Sequence, residues 1–436
     1  MFLFFSSVQI EKLMLPLLWQ LALIILAARV MGLLFRKIRQ PEVVGEIFAG
    51  LLLGPSFLGA LFPEISNAVF RPEIEGIPPG TMHWIFVSIS QIGLIMLLFL
   101  VGMEFEFGHL KELGSATGFI SLAGIVVPFT LGIFLSYWIH PKLFVGASKE
   151  VPFWAFALFL GTAMSITALP ILGRMLVEWN LARTRIAVVT ITAAAFDDAA
   201  GWILLAGVAA FVGTGFEWSN SAWMIFQTLL FGLVMIFLVR PLVKKIIPYL
   251  MVGGEITVTG LGLILVLLFL AAIATNLIGI FGIFGAFLFG ACLCDESAFR
   301  IAMQRRLKDF VTAFFLPVFF AYTGLRTKIG TLDSMDLWLM AGVIILASIV
   351  GKIVGCGLAS RMVGFNSRES TCIGVLMNTR ALMELIVINL GKDMGVIPDS
   401  VFCTLVMMAL ITTYMTTPLI QWLGKGTELK GQGSLL

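Results

Sequence analysis

The sequence predicts an all-α polytopic membrane protein with thirteen transmembrane helices, built as two inverted six-helix repeats around a connecting helix. Three observations point there. Hydrophobic residues make up 59% of the 436 and charged residues only 12%, too few charges to cover a soluble domain of this length. Apolar runs of about 20 residues, long enough to cross a hydrocarbon core as helices, recur from end to end. They are continuously apolar rather than alternating, which excludes an outer-membrane barrel. Stretches of the second half also resemble stretches of the first, in the same order.

Charge, Pro or Gly bounds each run. Lys12 and Arg36 enclose the first, 13–35; Pro41 and Pro63 the second, 43–62; Gly80 and Glu104 the third, 84–103. The fourth, 114–138, stops before Pro141, and the fifth, 152–177, lies between Pro152 and Glu178. The sixth, 186–212, follows Arg185, and the seventh, 221–240, ends on Arg240. The eighth, 256–277, and ninth, 279–296, are split by a short hinge at Asn276 to Gly279. Then come 309–325, 336–360, 370–391 and 399–423, closed by Arg326, Arg361, Lys392 and Gly424.

Loop charge sets the orientation. One face collects eighteen basic residues: Arg36, Lys37, Arg39, Lys111, Arg174, Arg183, Arg185, Arg240, Lys244, Lys245, Arg300, Arg305, Arg306, Lys308, Arg361, Arg368, Lys425 and Lys430. The other has seven: Lys12, Arg71, Lys142, Lys149, Arg326, Lys328 and Lys392. The basic side faces the cytoplasm, so the N-terminus is expected outside and the C-terminus inside. The N-terminus lacks the basic start and cleavage site of a removable signal peptide. The five cysteines fall in or beside apolar spans, so neither a disulfide framework nor a zinc site is expected. A net charge of +3 carries no nucleic-acid signal.

The repeat is weak in identity and consistent in order. VGEIFAGLLLGPS (44–56) resembles IFGIFGAFLFGAC (280–292), and MLLFLVGMEF (96–105) sits opposite PVFFAYTGLR (317–326). ISLAGIVVPFTLG (120–132) pairs with ILASIVGKIVGCG (345–357), and GTAMSITALPIL (161–172) with GVLMNTRALMEL (374–385). Because a single span connects the halves, the second enters from the opposite face. Two corresponding spans look broken at mid-depth. Pro170 removes a helix hydrogen bond and disfavours helix at Leu169, and Asn378-Thr379-Arg380 places polar groups at the matching position. Free backbone groups are tolerated there only where protein or a watery cavity satisfies them.

Span six carries Asp197 and Asp198 near mid-depth, where each charge costs about 2.5–3.5 kcal/mol. Adjacent helix residues diverge by about 100°, so the two carboxylates cannot share a proton as a facing dyad. One is free to meet a buried cation while the other faces a watery passage. Lys352, deep in span eleven, needs an anionic partner, and Asp197 is the natural choice. Gly351 and Gly355 give that helix a small-residue face for close approach. Arg380 and Glu384, at i and i+4, can pair with each other and balance half-helix dipoles near the break; theirs is a structural role. Arg29 and Glu46, nearer the boundaries, are also read as structural.

The motifs RQPEVVGEIFAGLLLGPSFLG (39–59), GLIMLLFLVGMEFEF (93–107), GTAMSITALPILGRML (161–176), AAAFDDAAGWILLA (193–206) and MNTRALMELIVINLG (377–391) together resemble the monovalent cation:proton antiporter-2 family along nearly the whole chain. The resemblance implies crossed discontinuous helices in a mobile core domain and a homodimer formed through the other domain. The matching ranges are 1–110 and 241–335 for dimerisation, 111–212 and 336–423 for the core, 213–240 for a linker helix and 424–436 for a short cytoplasmic tail. It further implies that Asp198 binds the transported ion and that Asp197 pairs with Lys352. Ala381 stands where many members have Gly. The nucleotide-binding regulatory domain of Kef-type systems is not expected, although a separate subunit could supply regulation.

The expected activity is exchange of Na+ or K+ for protons by alternating access, in a multi-pass protein of the bacterial inner membrane. Asp198 and Asp197 are the expected cation-site carboxylates, with Thr167, Ser165 and Asn378 helping to complete an oxygen shell. The expected partners are monovalent cations, protons, the bilayer and a second copy; no enzyme activity, cofactor or nucleic acid is expected. A gated cation channel would share buried acids but not coupling. A sodium-coupled organic-solute symporter shares the architecture, and its cavity would leave more polar residues near the breaks. An intramembrane aspartyl protease needs acids that face each other across two helices.

Overall fold

The computed structural model describes residues 7–70, 77–78, 80–104, 115–144, 151–179, 181, 184–213 and 218–424. The tail beyond Gly424 and the loop residues Arg71, Lys111, Lys149 and Arg183 lie outside that set. The protein is an all-α polytopic membrane protein. Among the described residues the only strands form a two-residue ribbon, Met251–Val252 against Glu255–Ile256, turning at Gly253 and Gly254.

Ten helices among the described residues are long and apolar enough to cross a membrane, and the bent pair Ser367–Met377 plus Leu382–Asp393 makes eleven. Two further apolar helices, Phe153–Ser165 and Gly282–Cys292, stand where spans five and nine are expected, but each is too short to cross alone. The chain folds as two compact units.

The first unit comprises Met1–Ile38, Gly45–Glu106 and Phe226–Lys328. Ser7–Lys37, Thr81–Glu104 and Val258–Ile278 are its long uninterrupted helices. Thr257 caps the last by accepting from the Gly260 N–H, and Gly279, in the left-handed region at φ 97°, ends it. That turn is the hinge expected at Asn276 to Gly279.

Two helices run further than their charges suggest. Ser297–Phe310 continues through a π-helical turn, Val311–Phe315, into Leu316–Arg326. Arg300, Arg305, Arg306 and Lys308 are thus helical, not loop, residues. The cause is amphipathicity: Phe299, Ala302, Met303 and Leu307 are buried along the opposite face. Likewise Trp218–Val234 passes through a π turn, Met235–Val239, into Arg240–Leu250, which buries Val243, Ile247 and Leu250. The expected ends at 309 and 240 move accordingly. Both π turns leave irregular carbonyls that side chains from other helices meet. Arg29 donates to Thr312 O at 2.6 Å, and the Cys292 thiol points at Met235 O at 3.6 Å.

The core of this unit gathers Phe99, Phe289, Met103, Ile264, Met303 and Val311, with Phe99 and Phe289 stacked at 5.5 Å. Glycines let its helices touch through backbone. Gly50 faces the Ala321 carbonyl while Gly324 faces that of Ile47; Gly290 faces the Phe99 carbonyl while Gly102 faces that of Phe287. A Cβ at any of the four would overlap backbone.

The second unit comprises Arg39–Val44, Phe107–Ile225 and Ile329–Leu436. The division falls within Trp218–Val234, inside the stretch expected as a linker. Ser115–Phe144 packs along Met335–Met362, with Gly355 against the Ala123 carbonyl and Gly351 against Pro128. Ser334 caps Met335–Met362. Asn366 and Glu369 close a reciprocal capping box on Ser367–Met377, at 2.9 and 3.0 Å. Arg185–Gly213 and Asp399–Leu423 complete the set around two interrupted helices.

Candidate ion-binding site

The site begins at the interruptions. Phe153–Ser165 gives way to extended backbone at Ile166, and helix resumes at Leu169–Glu178 with Pro170 as its second residue. Proline is tolerated there because the first turn has no intrahelical use for its N–H. Ser367–Met377 stops at Asn378, and Leu382–Asp393 resumes after Ala381, bent by 43°. The two breaks are bonded to each other. The Ala168 N–H donates to Thr379 O at 2.9 Å, and the Thr167 hydroxyl to Met377 O at 2.9 Å.

Helix ends in a low-dielectric interior need partners, and the end of Phe153–Ser165 has them. The guanidinium of Arg380 takes the last carbonyls of Phe153–Ser165, donating to Ala163 O at 2.8 Å and to Met164 O. A cation at a helix C-terminus also favours the dipole. The backbone of Arg380 is tied to the Thr413 hydroxyl in both directions. Glu384, in the first turn of Leu382–Asp393, lies 3.5 Å from Arg380. Thr379 returns both its N–H and its hydroxyl to Leu376 O.

Asp197 and Asp198 project from Arg185–Gly213, and both are buried. Lys352 of Met335–Met362 donates to Asp197 Oδ2 at 2.7 Å, to Ser165 O at 2.6 Å and to Gly124 O at 2.8 Å. Its three ammonium hydrogens are all placed. Asp197 also accepts from Thr167 at Oδ2, 2.7 Å, and from Ser121 at Oδ1. Asp198 turns elsewhere. The backbone N–H of Leu169, at the start of the resumed helix, serves its carboxylate, while its Oδ1 is buried without a hydrogen-bond partner.

Ser165 contributes its carbonyl to Lys352 and returns its hydroxyl to Thr162 O at 2.9 Å. Thr167 is engaged by Asp197 and Met377. Asn378 is buried with Oδ1 unpartnered. Among the described residues no three His, Cys, Asp or Glu side chains converge as a metal cluster. Two participants went unnoticed in the sequence: Ser121 and Gly124, one helical turn apart on Ser115–Phe144. Neither is charged, and no pattern in that apolar run says which face meets Asp197.

The sodium/hydrogen exchanger transmembrane family model matches residues 23–426. Cation/H(+) antiporter 17 of Arabidopsis thaliana is 39% identical over 407 residues, covering 93% of this chain and 48% of that protein. The chain therefore spans about half the length of that plant relative. The Na(+)/H(+) antiporter NhaS4 of Synechocystis sp. is 37% identical over 411 residues, 93% of this chain and 97% of that one. In fold, the sodium proton antiporter MjNhaP1 of Methanocaldococcus jannaschii superposes with a TM-score of 0.64 at 17% identity, over 97% of this chain and 99% of that one. By these matches, and by paired buried acids set beside two touching helix breaks, the chain belongs to the sodium/hydrogen exchanger transmembrane family.

Proposed function

We propose that the chain exchanges a monovalent cation, Na+ or K+, for protons by alternating access, with Asp198 as the carrier. One observation carries this reading. Of two adjacent buried acids, Asp197 is saturated by Lys352, Thr167 and Ser121, whereas Asp198 keeps an unpartnered oxygen. A buried carboxylate oxygen without a donor is costly, and a cation or a proton relieves that cost equally well in kind. A cation needs the charge that a proton removes, so the two exclude one another and their fluxes couple. The unpartnered Asn378 Oδ1 and backbone carbonyls at the breaks offer neutral ligands, and Asp197 adds to the negative field. The printed names of its relatives, cation/proton and sodium/proton antiporters, agree with this chemistry.

The same reading takes thirteen spans in two inverted repeats, the N-terminus outside and the C-terminus in the cytoplasm of a bacterial inner membrane. Residues 111–212 and 336–423 form the moving core, and 1–110 and 241–335 the scaffold through which two copies pair. The mirrored glycine contacts, Gly50 and Gly324 against Gly290 and Gly102, support the repeat, and the division into two units supports a two-body mechanism. The test is dequenching of a pH dye in proteoliposomes on adding Na+, K+ or Li+. Asp198→Asn is expected to abolish the response. Normal exchange in that variant would sink the assignment, and cation flux indifferent to a pH gradient would point to a channel.

A further inference from the structure

We propose that the Ser121–Gly124 turn of Ser115–Phe144 is a positioning clamp that lets the buried Asp197–Lys352 pair open without stranding either charge. This rests on the antiport reading above and adds residues to it. One turn of one helix touches both halves of the pair. The Ser121 hydroxyl donates to Asp197 Oδ1, the oxygen that Lys352 does not use, and the Gly124 carbonyl accepts from Lys352 Nζ at 2.8 Å. Neither contact depends on the ion pair itself.

The arrangement matters because separating a buried pair normally leaves two uncompensated charges. Here Asp197 would keep Ser121, with Thr167 beside it, and Lys352 would keep the carbonyls of Gly124 and Ser165. Thr167 is a divided donor, having one hydrogen for two acceptors, Asp197 Oδ2 at 2.7 Å and Met377 O at 2.9 Å. Ser121 is the hydroxyl committed to Asp197 alone. Its place is guarded by packing: a Cβ at Gly124 would lie 2.5 Å from the Cys356 sulfur and 3.6 Å from Lys352 Nζ, so only glycine brings this turn so close.

The charged and titratable groups around Asp197 are Asp198 on its own helix, Lys352 and Cys356 from Met335–Met362, and Arg380 at the second break. From Ser115–Phe144 and from Phe153–Ser165 with its break, the described neighbours are the neutral polar groups Ser121, Gly124, Ser165 and Thr167. A hydroxyl that fixes the orientation of Asp197 should therefore set the rate of exchange rather than merely the yield of folded protein.

The experiment compares the full chain, Ser121→Ala and Ser121→Thr in one proteoliposome series, reading the maximal rate and apparent KM of Na+- and K+-driven proton movement. In parallel, thermal unfolding is followed in detergent. Removing one charge-assisted hydrogen bond is expected to lower the maximal rate about tenfold. Ser121→Thr, which keeps the hydroxyl, should restore most of the rate. A Ser121→Ala rate equal to that of the unmodified chain overturns the clamp. So does a rate deficit shared in full by Ser121→Thr, which marks plain packing. Absence of cation-driven proton movement in the unmodified chain would instead overturn the antiport reading, and an unfolding deficit of Ser121→Ala that Ser121→Thr repairs would still judge the clamp by itself.

Discussion

Lys352 and Asp197, residues 155 apart in sequence, form a fully buried ion pair, 2.7 Å from Nζ to Oδ2. Such a pair is held less by its own attraction than by the hydrogen bonds that fill its remaining valences. Here those bonds come from Gly124, Ser165, Thr167 and Ser121.

Lys352→Ala should accordingly strand Asp197 and destabilise the fold by about 3–5 kcal/mol, the usual result of deleting one partner of a buried pair. Thermal unfolding in detergent measures the loss. Double substitution with Asp197→Asn should cost less than the sum of the two singles. Strict additivity would show that the pair is not coupled.

Arg380 should tolerate replacement least of all. Arg380→Ala frees the Ala163 and Met164 carbonyls and leaves Glu384 without its countercharge, a loss of about 3 kcal/mol or more. Arg380→Lys should recover only part of this, because an ammonium cannot reproduce the planar fork across two carbonyls. Monodispersity on size exclusion and the unfolding midpoint report it.

The glycine crossings make a paired prediction. Gly290→Ala and Gly50→Ala place a methyl into the Phe99 and Ala321 carbonyls and should cost about 1–3 kcal/mol or more. Gly262→Ala, on Val258–Ile278 with open space around it, should be neutral or stabilising by up to about 1 kcal/mol through helix propensity. Unfolding midpoints of the three variants under one condition decide it.

In the turn between Gly282–Cys292 and Ser297–Phe310, Asp295 is exposed and meets Arg240 and Lys244. Burial works against its charge, but hydrogen bonds from Cys294, Lys244 and Arg240, with the charge of Arg240, outweigh it and hold the carboxyl below its ordinary value. A carboxyl lowered on folding stabilises at neutral pH, and that contribution fades as pH falls through the folded-state value. Asp295→Asn should therefore lower the unfolding midpoint slightly at pH 7 and low salt. The difference should shrink in high salt and disappear in acid. A difference that persists under both conditions would assign it to packing.

Much of this was legible in the residues. Asp197, Asp198, Lys352, Arg380 and Glu384 stand out because charge inside an apolar span is expensive, and Pro170 marks the first break because it cannot extend a helix through its own N–H. Helix ends are less legible near Arg240 and at 300–308, where charge on one face of an amphipathic helix looks like loop.

The sequence by itself determined that the chain is a many-helix membrane protein, where its costly charges lie and where its helices must break, since each follows from the price of a residue in hydrocarbon. Only the tertiary structure decided which acid is saturated. Asp197 and Asp198 are neighbours of one chemical type, and they differ only in which way one helix is turned. That turn gives Asp197 to Lys352, Ser121 and Thr167, and leaves Asp198 beside the Leu169 N–H with an oxygen to spare. Contacts between distant helices fix it, and hydropathy along the chain carries no record of them.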